Sequence, residues 1–406
     1  MKIALVSEAL PPSASGQSMV LSRLLGGLDP ADYCLISNLN YDAAAPHNAY
    51  TQRLPVNYHH LSAPRQITRG SRFGLIHLRH GLNFPLTVAQ WGRRIADIVR
   101  RERCEAVVAC TGEVSLLPAG YLGARLAGVP FFAYVFDHYS YREWANPAAR
   151  FWARRLEARL LRGAAGVIVP NEILRDDLRR RCGVESEVIH NSFDISDYES
   201  APPPPPSPNG EVKIVYTGDV YEAHYDAFQN LLAALRLLGR DDVRLHLYTS
   251  RTPEEMAARG ISGPVRIHPH RALAEMPRVQ QEADILFLAL AFDSPYPDLV
   301  KTSATMKLGE FLATRRPVIV HAPPDSFISW YFRTHECGVV VDRRDPELLA
   351  RKITELLADP ELQRRLTERA WGRARADFSI AGARAKFLDV LRRGVRARAP
   401  EQEPRP

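Results

Sequence analysis

The chain has 406 residues, 46% of them hydrophobic and 24% charged, with a formal net charge of +7. That length exceeds one ordinary core, so two domains are expected, and the composition is that of a water-soluble globular protein. No run approaches the roughly 18–20 uncharged apolar residues of a membrane span. The start Met1-Lys-Ile-Ala-Leu-Val-Ser-Glu8 stops at a glutamate after one strand's length, unlike a signal peptide, so a cytoplasmic protein is expected. Net positive charge invites nucleic acid, a membrane surface or an acidic substrate. No zinc finger, basic zipper or RNA-binding signature accompanies it, so no nucleic acid is expected and membrane surfaces and phosphate ligands remain. The five cysteines (Cys34, Cys104, Cys110, Cys182, Cys337) are scattered with no C-x-x-C pair, and read as reduced core or surface thiols without zinc or disulfides.

Strand and helix patterns alternate along the chain, the mark of an α/β, doubly wound parallel sheet. Lys2–Ser7 reads as a strand, Glu8–Gly16 as a loop rich in Pro, Ser and Gly, and Gln17–Leu28 as a helix. Ala106–Cys110 and Pro130–Phe136 read as buried strands around a helix over Leu117–Ala127. The strand Gly166–Pro170, the helix Asn171–Arg181 and the strand Glu187–His190 follow. Ala201–Gly210 holds consecutive prolines, which form a stiff extended segment that cannot enter a core. The expected division is therefore a first domain over 1–200, a linker over 201–210 and a second domain over 211–378. A helix over 379–396 and a disordered tail over 397–406 complete it.

The second domain reads as strand Lys213–Thr217, helix Tyr225–Leu238, strands Arg244–Tyr248 and Val265–Pro269, helix Leu273–Glu282 and strand Ile285–Leu290. A loop over Ala291–Thr302 leads into Ser303–Val320, which reads as a short helix, a tight turn and a buried strand. Strands at Val318 and Val339 and helices Pro346–Leu357 and Pro360–Asp377 close the unit. Lys307 and Glu310 lie three apart on the short helix and so share a face. That face follows an apolar run of the kind a central parallel strand shows, and open α/β sheets bind ligands at the carboxyl ends of such strands. A helix start favours an anion such as a diphosphate. One ligand that uses both side chains is a sugar nucleotide, with the ammonium on phosphate and the carboxylate on ribose hydroxyls. The plain alternative is a solvated surface ion pair.

Four segments together carry a family resemblance: Met1–Ser7 with Pro11-Pro12 and Ser15-Gly16, Val188-Ile-His-Asn-Ser-Phe-Asp194, Lys213-Ile-Val-Tyr-Thr-Gly218, and Met306–Ala313 with Pro317-Val318. Phe378-Ser379 before a helix resembles a terminal segment that crosses back to the first domain. In this order and spacing the chain resembles the retaining, nucleotide-sugar-dependent "glycosyl transferases group 1" of the GT-B fold. The resemblance implies two Rossmann-like domains facing a cleft, a nucleotide diphosphate sugar as donor, and no cofactor. It implies donor contacts from Gly16, Gly218, Lys307, Leu308 and Glu310. The chain departs from the family at three places. Asp219 and His224 stand where an arginine and a lysine usually clamp the diphosphate. Thr302 stands where a first glutamate precedes Glu310, with Asp298, Lys301 and Ser303 nearby as replacements. Phe136, followed by Asp137 and His138, falls where a histidine is common.

Such transfer replaces the diphosphate at the anomeric carbon, and an enzyme helps most by stabilising the leaving charge with preorganised donors. Gly16 lets a loop backbone approach a phosphate or sugar closely, and Lys307 neutralises the leaving group. His268 and Arg271, at the end of a strand, are placed for the base; Thr302 and Ser303 flank the donor helix. Asp137 and His138 are the catalytic candidates beside Lys307, each weighed against an ordinary buried polar role. With no aspartate-x-aspartate motif, no metal is expected, and Asp176-Asp177 falls on a helix far from these positions in sequence. Arg65, Arg69, Arg72, Arg79, Arg93, Arg94, Arg100, Arg101 and Arg103 interleave with Phe73, Leu75, Ile76, Leu78, Leu82, Phe84 and Trp91. A basic segment of this kind can lie on an anionic membrane at its inner face, or it can be a solvated helix face whose apolar side is core. The acceptor is then a lipid-linked, polysaccharide or small-molecule one. The competing functions are a catalytically degenerate GT-B protein that binds a nucleotide or partner, and a nucleotide-sugar epimerase.

Overall fold

A computed structural model describes residues 1–42, 51–68, 75–140, 147–199 and 210–397. Residues 201–209 of the expected linker, the tail from 398 onward, and Arg69, Arg72 and Phe73 lie outside the described residues. The chain forms two compact units, Met1–His190 with Ala383–Pro406, and Asn191–Gly382. The first unit thus ends before the boundary expected at residue 200, and the reason is local. Asn191 donates to the Ala304 carbonyl, Phe193 bridges to Ser379, and the Tyr198 hydroxyl donates to Gln280 Oε1 at 2.7 Å. These partners tie 191–199 to the second unit.

The first unit is built on a seven-stranded sheet. In chain order its strands are β1 (Ile3–Val6), β2 (Tyr33–Ser37), β3 (Tyr58–His60), β4 (Ala106–Cys110), β5 (Phe131–Tyr134), β6 (Gly166–Val169) and β7 (Glu187–Val188). Their spatial order is β3-β2-β1-β4-β5-β6-β7, with every pairing parallel. β1, β2, β4 and β5 are buried along their whole length, which is why β1, β4 and β5 read as continuous apolar runs rather than alternating ones. The order reverses between β1 and β4, so the segments after these two strands border a topological switch point. The first helix runs over Gly16–Leu25 and stops before the expected Leu28, because Gly26 closes it with a bond to Ser22.

The second unit carries a six-stranded parallel sheet in the order β10-β9-β8-β11-β12-β13. Here β8 is Val212–Thr217, β9 Val243–Thr249, β10 Val265–Pro269, β11 Ile285–Ala289, β12 Val318–His321 and β13 Val339–Val341. Its switch point lies between β8 and β11. The segment expected as a loop from Ala291 is helical over Pro297–Thr302, where Pro297 sits in the first turn with no N–H to lose. The Lys307–Glu310 helix is Lys307–Ala313.

The final helix, Ile380–Arg396, begins in the second unit and continues in the first. Within the first unit its Arg384 donates to the carbonyls of Arg23 and Leu24, and Gly394 lies so close to Phe132 that a Cβ there would meet the ring at 2.5 Å. All five cysteine thiols are buried and none is bonded to another, although the Cys34 and Cys104 sulfurs are 3.7 Å apart.

Candidate active site

The site in the second unit is assembled at the carboxyl end of β8. Gly218 follows that strand with φ of +119°, a conformation that L side chains rarely adopt. The missing side chain is also required for space. A Cβ at Gly218 would lie 2.5 Å from Lys307 Cε and 2.8 Å from Nζ. Lys307 therefore reaches back from its helix across the switch point and lies over the β8 turn. Its ammonium stands 5.0 Å from the centre of the Tyr216 ring, within cation–π range. Burial pushes its pKa below the ordinary lysine value, and the attraction of Tyr221, Glu310 and Asp219 only partly opposes that. Among the described residues no carboxylate lies within ion-pair distance of this ammonium, so the solvated Lys307–Glu310 pair does not form.

Glu310, on the same helix, is buried. It accepts from Gln280 Nε2 at 3.5 Å, and the same amide donates to Thr217 Oγ1 at 3.1 Å. The two side chains expected to share a ligand thus leave one helix start in different directions, one over Gly218 and one toward Gln280.

Asp219 explains what happens without an arginine at that place. Its carboxylate binds Arg251 through both oxygens, Nε at 2.8 Å and NH2 at 2.9 Å. Arg251 follows β9, the neighbour of β8, and that strand pairing brings its guanidinium onto Asp219. No sequence spacing announces this pair, because it joins residues 32 apart through a strand pairing. His224 begins helix Tyr225–Leu238, and burial beside Lys307 lowers its pKa to about 3, so it is neutral at physiological pH. Its Nδ1 is buried with no hydrogen-bond partner among the described residues, while Nε2 lies 3.4 Å from the Tyr216 hydroxyl.

His268 is stacked between His246 and Tyr248, 4.4 Å from the Tyr248 ring centre, and Gly218 donates to the Tyr248 carbonyl at 2.8 Å. The end of β10 is thereby tied to the β8 turn, and Arg271 is exposed just beyond it. Thr302 is buried, and its hydroxyl donates to the Asp298 carbonyl one turn back. Ser303 caps that helix. Leu308 is a core residue whose side chain is wholly buried and whose N–H is bonded to Thr305.

In the first unit, Gly16 opens the helix after the β1 loop, with the Ser15 side chain capping Ser18. Among the described residues a Cβ on Gly16 would meet nothing within 4 Å, so none of them requires the glycine. Asp137 and His138 follow β5. His138 is buried, and its Nδ1 lies 3.2 Å from Arg181 NH2 and 3.6 Å from Asp177 Oδ2. Asp177, distant from these positions in sequence, is near them in space: the helix Glu172–Cys182 packs its Asp177 and Arg181 on His138. Sequence reading also missed Glu113, after β4, whose carboxyl burial pushes up to about 7 while Ser115 N–H donates to it at 2.7 Å. Among the described residues no cluster of ligating side chains is arranged for a metal ion.

Two family models match the chain in non-overlapping segments. One is "Glycosyl transferases group 1", over residues 211–359, and the other "Glycosyltransferase Family 4", over residues 43–197. The chain is a glycosyltransferase of the GT-B fold, its second unit matching group 1. Solved structures agree in fold. A glycosyltransferase from Rickettsia africae is 14% identical with a TM-score of 0.67, covering 99% of each chain. Sucrose-phosphate synthase from Thermosynechococcus elongatus is 17% identical with a TM-score of 0.67, covering 98% of this chain and 99% of its own. The Anabaena protein HepE, solved with UDP and glucose, is 14% identical with a TM-score of 0.63, covering 97% and 99%. No curated protein matches the chain in sequence. In this glycosyltransferase the group 1 segment contains Gly218, Lys307 and Glu310, and the family 4 segment contains Asp137 and His138.

Proposed function

We propose that this glycosyltransferase transfers a sugar from a nucleotide diphosphate sugar to a hydroxyl acceptor with retention of configuration. The bond from the anomeric carbon to the diphosphate oxygen breaks, and the acceptor oxygen bonds the same face. The acceptor's proton leaves with the departing diphosphate. The observation that carries this reading is the Lys307 ammonium, desolvated over Gly218 with no carboxylate of the described residues in ion-pair reach. A desolvated cation costs stability unless an anion completes it, and leaving-group charge completes it best in the transition state. Arg251, held on Asp219 after the neighbouring strand, and Glu310 on the Lys307 helix are the further residues this reading assigns to the donor, Glu310 to its ribose hydroxyls. HepE has been solved with UDP-glucose, which makes that donor the first to try.

A thermal-shift screen of nucleotide sugars tests donor choice, since a ligand of the native state raises stability. With the donor found, Lys307→Ala and Glu310→Ala are expected to abolish transfer with the fold intact. Full activity in both purified variants would contradict the assignment. Binding without turnover across a broad acceptor panel would favour a degenerate enzyme instead.

The acceptor side is read from charge. Helix Leu75–Arg101 contains one carboxylate, Asp97, and helix Pro147–Arg162 contains only Glu157, which is buried against Arg181. Phe151 is 61% exposed, and Arg150, Arg154 and Arg155 are exposed around it. An aromatic ring among arginines suits an anionic lipid surface, which supports a lipid-linked acceptor at a peripheral membrane site. No helix among the described residues is long and apolar enough to cross a membrane. Cosedimentation with phosphatidylglycerol vesicles is expected, with little on phosphatidylcholine and loss in Phe151→Asp. Equal recovery with both lipids would remove the membrane from the proposal.

A further inference from the structure

Two buried thiols meet at the amino edge of the first unit's sheet, the end opposite the segments that follow β1 and β4. Cys34 is the second residue of β2, and Cys104 lies two positions before β4. Their sulfurs are 3.7 Å apart, and the residues are 0% and 5% exposed. Among the described residues no other two cysteine sulfurs are in contact.

Local backbone and sheet pairing together make this contact. Helix Leu75–Arg101 is followed by a left-handed residue, Arg103 at φ +55°, and the Cys104 N–H then donates to the Val99 carbonyl at 2.9 Å. Such a closure turns the residue after the left-handed one back against the end of its helix. Cys34 pairs in register with Ala4 of β1 and belongs to the same buried cluster as Val99 and Cys104. A strand residue and a helix-end residue 70 positions apart thus share one hydrogen between their sulfurs.

The two thiols are not equivalent. Lys2, whose ammonium is 2.7 Å from Glu102, lies at the same edge. The hydrogen offered by Cys34, and then the Lys2 charge, hold the Cys104 thiol below its ordinary value against the opposing effect of burial. Donating that hydrogen, together with burial, pushes the Cys34 thiol up. The thiolate is the reactive form, so Cys104, also the more exposed of the two, is the nucleophile and Cys34 the sulfur that answers it.

We propose that Cys34 and Cys104 form a reversible oxidation site, in which a peroxide joins them as a disulfide that fastens the end of helix Leu75–Arg101 to β2. The Cys104 thiolate attacks one peroxide oxygen, the O–O bond breaks, and the other oxygen leaves as hydroxide, which becomes water. The Cys34 sulfur then attacks the Cys104 sulfenic acid, the S–O bond breaks, and that oxygen leaves as water with the Cys34 proton. Two thiols lose two hydrogens and two electrons, and one peroxide becomes two waters. The sulfurs must close from 3.7 Å to about 2.05 Å. The turn over 102–105 supplies that movement, because β2 is paired on both sides and cannot. The site stands apart from sugar transfer and does not depend on it.

The test treats the full chain, reduced and freed of thiol, with hydrogen peroxide in native buffer. Catalase removes the peroxide before denaturation and alkylation. Peptide mapping without reductant is expected to find Cys34 and Cys104 joined, with Cys110, Cys182 and Cys337 alkylated. Cys34→Ser is expected to stop at a Cys104 sulfenic acid, captured by dimedone on denaturation, and Cys104→Ser to leave Cys34 alkylated. The urea midpoint of the first unit, followed by hydrogen exchange in the β2 and β4 peptides, is expected to rise by about 1 M on oxidation and to return with dithiothreitol. Both thiols alkylated in the treated wild type, a link to another cysteine, or a Cys34 sulfenic acid in Cys104→Ser would each overturn the oxidation site. A formed link with an unchanged midpoint would overturn the fastening. The wild-type map decides by itself if either variant fails to fold.

Discussion

At the scale of single residues, the site turns on where the charge of Lys307 goes. Its pKa is lowered first by burial, so the ammonium loses its proton at a lower pH than an exposed lysine. Donor affinity should therefore weaken with rising pH earlier than an ordinary lysine predicts, and Lys307→Arg, which cannot deprotonate, should flatten that limb. Titration calorimetry with UDP across the alkaline range measures this, and a flat profile in the wild type would contradict it. Asp219 is acidic at the turn proposed to bind an anion, and its carboxylate is occupied by Arg251 on both oxygens. Arg251→Ala should then weaken donor binding more than Asp219→Asn, because the first leaves a bare carboxylate beside the diphosphate and the second keeps the guanidinium. Equal loss in the two variants would mean that the pair only braces the turn.

Elements were legible in proportion to how local their causes are. Ala106–Cys110, Val265–Pro269, Tyr225–Leu238 and Pro360–Asp377 appear over the residues expected, because apolar runs, glycine or aspartate caps and helical spacing are written into those segments themselves. Tyr33–Ser37, Pro147–Arg162 and Phe327–His335 carry weaker local signals. The strand is only five residues long, and arginines or aromatics crowd the helices. Within the site, the Lys307 helix was legible from spacing, whereas Arg251 on Asp219 and Arg181 on His138 exist only once strands pair and helices pack. The Lys307 helix also depends on a contact no pattern shows. Gly309 faces Phe378, and a Cβ there would meet the ring at 2.6 Å. Phe378 is 2% exposed, and its carbonyl accepts from Phe193 N–H. Phe378→Ala should cost about 3–5 kcal/mol and weaken donor binding with it, since the ring supports the helix that carries Lys307. Chemical denaturation measures the first effect and calorimetry the second; lost stability with unchanged donor affinity would detach the helix from its support.

Across the whole molecule, acid should act unequally on the two units. In the second unit His224 is held near 3, and His246 and His321 near 4, each chiefly by burial. His321 shows why: Nδ1 faces the Val341 carbonyl at 2.8 Å, and Asn230 Nδ2 lies 2.9 Å from Nε2, so both nitrogens are satisfied in the neutral form. Between the unfolded histidine pKa of about 6.5 and these lowered values the unfolded chain binds more protons, so stability falls as pH falls through that window. Glu113 in the first unit has the opposite sign: raised to about 7, it binds its proton first in the folded state and adds stability as pH falls toward the ordinary glutamate range. Scanning calorimetry from pH 7.5 to 4.5 should show the transition of the second unit moving down, with His321→Gln reducing the drop. A drop shared equally by both units would contradict this account.

The central claim is that the β8 turn with Lys307 is where the donor's diphosphate binds. Calorimetric titration of UDP into the wild type and into Lys307→Met, at two salt concentrations and with the fold checked by circular dichroism, tests it most directly. The account predicts salt-sensitive binding in the wild type and at least a tenfold loss in Lys307→Met with most of the salt dependence gone, the scale of one charge-assisted contact. Binding of equal strength and equal salt dependence in both proteins would contradict it.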